Sequence, residues 1–79
     1  MDAWLSSARD ALTERTGASE SALELDAQTS EAILELARIA AHESGDRRNA
    51  PLVCYLAGLA RAQGADLSGL LEALRRSSS

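Results

Sequence analysis

The sequence predicts an all-α fold, a compact bundle of three main helices plus a short fourth, with the third helix central. Three observations predict it. Of the 79 residues, sixteen are Ala and thirteen Leu, against no Phe, one Trp and one Tyr. Small and aliphatic side chains favour closely packed helices over a sheet. Apolar residues recur at helical spacing in four stretches, each bracketed by capping residues or glycine. At 8.3 kDa the chain holds one core. The expected domain is 1–76, with a frayed tail at 77–79.

The first helix is expected over 2–16. Asp2 caps it, and Trp4, Leu5, Ala8, Ala11 and Leu12 form one stripe. Gly17 stands where a C-terminal glycine belongs. Residues 17–28 read as a connector, with Leu23 and Leu25 tucked under the helices. A short turn at Ser21–Glu24 fits the capping-box pattern. The second helix is expected over about 29–43, with Asp26, Thr29 and Ser30 all candidate caps. Ile33, Leu36, Ala37, Ala40 and Ala41 share one face, and Glu31, Glu35, Arg38 and His42 the opposite one.

The third helix starts at Ala50-Pro51 behind Asn49 as cap, since a proline in the first turn loses no helical hydrogen bond. Between Pro51 and Ala62 its only charge is Arg61, and a helix apolar nearly all round is expected to be buried nearly all round. Leu52, Tyr55, Leu56 and Leu59 make its bulky side. Cys54, Ala57 and Gly58 make a small side that admits another helix. Asp66 caps a fourth helix carrying Leu67, Leu70, Leu71 and Leu74 in one row. Arg75 and Arg76 suit the dipole of its last turn.

Composition narrows the function. The net charge is −4 and the pI about 4.8, which disfavours nucleic acid and anionic membranes as partners. All eight cations are Arg, read as a sign of GC-rich coding. One Cys and one His leave neither a disulfide framework nor a multi-cysteine zinc site. No apolar run approaches the roughly 18 residues of a spanning helix, and the start Met1-Asp-Ala-Trp4 lacks the pattern of a signal peptide. The expected setting is cytoplasmic. No nucleophile, base and orienting group stand together, so no enzyme is expected, and no cofactor or metal. An acyl carrier protein would match in size and charge. Its Asp-Ser-Leu motif is missing, however, and the nearest string is Asp66-Leu67-Ser68.

Arg38 and His42, joined by Arg47 and Arg48 from the following loop, form a candidate face for an acidic or phosphorylated partner; the ordinary alternative is a solvated face. Arg47 and Arg48 beside a helix N-terminus could also hold a phosphate. Cys54 reads as a structural thiol on a helix side open to a partner. Trp4 reads as a core anchor, and Tyr55 as a core residue with its hydroxyl at an edge.

Three pieces are familiar together: Trp4-Leu5, Ile33-Leu-Glu-Leu-Ala-Arg-Ile-Ala-Ala-His42, and Arg48-Asn-Ala-Pro-Leu-Val-Cys-Tyr-Leu-Ala-Gly-Leu-Ala60. Over residues 3–75 the chain resembles a family of small actinobacterial helical proteins of unknown function. Its members stand alone or are fused to proteins similar to molybdenum cofactor guanylyltransferase, often among molybdenum-cofactor and formate dehydrogenase genes. The family pattern falls on Trp4, Arg38, His42, Arg48, Pro51 and Gly58. Where the family often has Arg-Pro, this chain has Arg48-Asn49. The resemblance implies a non-catalytic accessory module or small subunit. It would contact a molybdoenzyme or cofactor-insertion protein through Arg38, His42, Arg48 and Gly58, which the residue reading extends to Arg47 and Cys54, with Trp4 and Pro51 structural and Tyr55 structural on the residue reading alone. The alternatives are a self-associating homodimer, or a binder of a phosphate-bearing small molecule.

Overall fold

The computed structural model describes residues 2–17, 23 and 25–78. Four helices follow in order: α1 (Ala3–Thr16), α2 (Ala27–Ser44), α3 (Asn49–Ala62) and α4 (Leu67–Ser78), with no strand among the described residues. The all-α expectation holds. The capping box at Ser21–Glu24 lies outside the described residues except for Leu23, as does Ser79. Ser77 and Ser78, expected to fray, continue α4.

Local chemistry explains each boundary. Asp2 Oδ1 accepts from the Leu5 N–H at 2.8 Å, and Asp26 Oδ1 from the Thr29 N–H at 2.7 Å. Of the three candidate caps for α2, Asp26 is the one used, so the helix begins at Ala27, two residues before the expected start. Gly17 and Gly45 end α1 and α2 in the left-handed region, at φ 74° and 71°. α3 departs from expectation. Asn49 is its first helical residue, and Arg48 holds the cap position without a side-chain cap. Asp46 organises that turn instead: its Oδ1 accepts from the Arg48 N–H at 2.9 Å, and its carbonyl from the Asn49 N–H at 3.1 Å.

α2 packs against both α3 and α4, whereas α3 and α4 meet only narrowly. The buried residues are Leu36, Ile39 and Ala40 on α2, Ala57 on α3 and Leu67 on α4. Leu36, at 1% exposure, forms the core with Ala57 and Leu67, enclosed by Ile33, Val53, Leu70, Leu71 and Leu74. Most of the buried side chains therefore belong to α2, not to the third helix expected at the centre.

The orientation of α3 corrects a second expectation. Its small side is the inward one. Ala57 is buried, and the half-buried Cys54 thiol lies 3.8 Å from the Ile33 carbonyl of α2. Its bulky side is outward, with Leu52, Tyr55, Leu56 and Leu59 between 50% and 70% exposed. The reason is volume. α2 already supplies the large side chains Ile33 and Leu36, and ridges of that size need a groove of small residues opposite. Pro51 lies exposed in the first turn of α3, where its missing N–H costs nothing.

α1 is a third correction. No Cα of α1 comes within 8 Å of another helix, and no α1 residue is buried. Trp4, expected in the core, is 74% exposed. The stripe Leu5, Ala8 and Leu12 faces Ile33, Ala57 and Gly58 across a cleft of about 780 Å³, which Leu23 and Leu25 also line. The radius of gyration, 13.4 Å, exceeds the roughly 11.6 Å of a compact chain of this length.

Leu36→Ala should therefore cost about 2–5 kcal/mol, most of the stability of so small a core, while Trp4→Ala should stay within about 0.5 kcal/mol. Urea denaturation followed by circular dichroism checks both. The Thr29 N–H holds the Asp26 carboxyl below its ordinary range, as Arg38 does Glu35 and Arg48 does Asp46. Carboxyls depressed in the fold stabilise it above their unfolded values and lose that contribution as the pH falls through their folded ones. The melting temperature should hold above about pH 5 and fall below about pH 4, less steeply in Asp26→Asn, which keeps a cap acceptor.

Candidate functional site

Two exposed surfaces carry the residues of interest. The first is the outer stripe of α2. Leu34, Arg38 and His42 follow at four-residue intervals, which places them on one face turned away from Leu36. All three are exposed, Leu34 at 68%. Glu35 holds Arg38 from one turn earlier: Arg38 Nε donates to Glu35 Oε1 at 2.8 Å, and Nη2 donates to the same oxygen. The pairing raises the Arg38 pKa and lowers that of Glu35. Arg38 is thus a directed cation with 61% of its side chain still open. The structure does bring Arg38 and His42 together, beside an exposed leucine that the helical pattern leaves outside the core face.

The loop after α2 carries Arg47 and Arg48, both exposed. Arg48 folds back on Asp46, its Nε 3.1 Å from Oδ1 and its Nη2 2.9 Å from Oδ2. Asp46 also takes the Arg48 backbone N–H. The anion at the start of α3 is therefore the chain's own carboxylate, and a phosphate there would have to displace it.

The second surface is the outer side of α3. Leu52, Tyr55, Leu56 and Leu59 stand at positions i, i+3, i+4 and i+7, a continuous apolar stripe about 10.5 Å long along the axis. None of the four lines the clefts around α1 and α4. No Asp or Glu occurs between Asn49 and Ala62. Sequence reasoning assigned these residues to the core and missed them as surface. The available signal was the adjoining run of small residues, Cys54 and Ala57, on the opposite side of the same helix. Gly58 lies on the flank toward α1, with nothing within 4 Å of the place a Cβ would take.

Cys54 does not reach a surface that could use it chemically. It is half-buried, and burial raises its thiol pKa, which suppresses the thiolate. No group of three or more His, Cys, Asp or Glu gathers at metal-binding range among the described residues. No helix among them is long and apolar enough to cross a membrane. Iodoacetamide should alkylate Cys54 more slowly than a free thiol at neutral pH and catch up on addition of urea. Equal rates in native and unfolded protein would place the thiol outside.

No curated protein and no solved structure matches this chain. One family model spans residues 1–79. The chain belongs to that family, described as a domain of unknown function, DUF6457.

Proposed function

We propose that this chain is a non-catalytic accessory module, or small subunit, that acts by contact. What carries the reading is the exposure of large apolar side chains on helix faces opposite the core: Leu34 beside Arg38 and His42 on α2, and four residues on α3. A contiguous apolar patch such as that on α3 marks an interaction site, whereas a single exposed leucine does not do so by itself, and Tyr and Arg are among the residues enriched in binding hot spots.

The foreign partner is assigned to the α2 stripe, with Arg47 and Arg48 at its edge. The resemblance carried by the strings at 33–42 and 48–60 supports a cytoplasmic partner from the molybdenum-cofactor system, a cofactor-insertion protein or a molybdoenzyme such as formate dehydrogenase. Arg38 keeps 61% of its side chain open, so the guanidinium N–H groups that Glu35 does not take are the ones left for an acceptor on that partner.

Affinity capture with a tagged chain tests this. The wild type should retain a molybdoenzyme or cofactor-insertion protein. The double variant Arg38→Glu, His42→Glu should lose at least about tenfold in affinity while staying folded, because both side chains are exposed. Equal retention by wild type and variant, or no foreign protein at all, contradicts the assignment.

A further inference from the structure

We propose that the outer face of α3 is covered by α3 of a second copy of this chain, packed antiparallel across a two-fold axis. The proposal rests on reading the chain as a contact module and names the occupant of one of its two surfaces.

The chain exposes 5975 Å², about 1,400 Å² more than the roughly 4,600 Å² of a monomer of its mass, an excess shared between the detached α1 and the uncovered face of α3. A stable interface removes about 800 Å² from each partner, so it takes in the flanks of α3 as well as its four large side chains. The outer side of α3 supplies the apolar centre of such an interface. Its four large side chains lie opposite α2 and are uncovered by α1 or α4.

The pattern is self-complementary. A two-fold interface must read the same from both sides. Reversing α3 about the midpoint between Tyr55 and Leu56 exchanges Leu52 with Leu59 and Tyr55 with Leu56, so apolar meets apolar at every position. The same operation places Arg48, together with the Asp46 carboxylate that holds it, over Gln63 at the end of the partner's α3. The Arg48 side chain is 87% exposed in the free chain and lies one turn before Leu52 on the same face.

Charge is compatible with this surface. Two copies carry −4 each. α2 presents Glu31, Glu35 and Glu43, and α1 and α4 carry Asp10, Glu14 and Glu72 beside arginines of their own. α3 presents no carboxylate between Asn49 and Ala62, so no carboxylate faces another when two copies approach along it.

Light scattering coupled to gel filtration reads the outcome. At micromolar concentration the wild type should run at twice 8.3 kDa. Leu56→Arg should halve the mass with unchanged helical circular dichroism, and Leu34→Arg, on α2, should leave the mass unaltered. A monomeric wild type overturns the proposal, as does a dimer that survives Leu56→Arg. The antiparallel register has its own readout. In a Cys54→Ser background, Leu52→Cys and Leu59→Cys copies should cross-link on oxidation when mixed and not when separate. Cross-linking of either variant alone overturns the register. A monomeric wild type that still captures a foreign protein through Arg38 and His42 sinks only this proposal, and a dimer that captures nothing sinks only the contact assignment on α2.

Discussion

Leu36 can be buried only because α3 turns a groove of small residues toward it. The side chain projects from the middle of α2 into the core it forms with Ala57 and Leu67. Were a leucine or tyrosine at position 57, the two helices could not approach to packing distance, since interiors admit neither overlap nor sizeable voids. This pairing of a large residue with a small one fixes the rotation of α3 about its own axis. Once that rotation is set, Leu52, Tyr55, Leu56 and Leu59 have no choice but to face outward.

The same constraint connects core to surface chemistry. A helix with one small face and one bulky apolar face cannot bury both in a molecule with so few layers. α4 meets α2 and barely touches α3, and α1 stands across a cleft on the flank. The uncovered bulky face is therefore a consequence of the fold and not of a stray substitution. α2 contributes differently. Its inner side carries the core, and its outer side carries Leu34, Arg38 and His42, with Arg38 held in place by Glu35. One helix thus stabilises the domain and displays a mixed apolar and cationic stripe. A contact module needs rigid elements behind its contact residues, and α2 provides them.

Much of this was legible in the sequence. Asp2 with Gly17, and Asp26 with Gly45, mark α1 and α2 because capping chemistry is local, and the leucine row 67, 70, 71 and 74 identifies the inner face of α4 unambiguously. The face of α3 was not legible. Its apolar residues surround the axis, so periodicity offers no inside, and only the shape of α2 decides between a small and a bulky contact. Trp4 misleads for a related reason: an aromatic in an apolar stripe signals burial only when a neighbouring helix closes on it, and none comes within 8 Å of α1. Asn49 misled because Asp46, three residues earlier, reaches the turn first. Arg38 and His42 were legible as a pair by their four-residue spacing. Leu34 belongs to the same stripe but is not legible as surface, since a leucine beside core residues has the same pattern as one of them.

The central claim is the rotation of α3, and side-chain solvent contact measures it most directly. Methyl NMR of the Leu56→Arg protein with a soluble paramagnetic agent would report each leucine in a single chain. The account predicts strong relaxation at Leu52 and Leu59 and almost none at Leu36. Protection of Leu52 and Leu59 equal to that of Leu36 would mean that α3 turns its bulky side inward, and would contradict it.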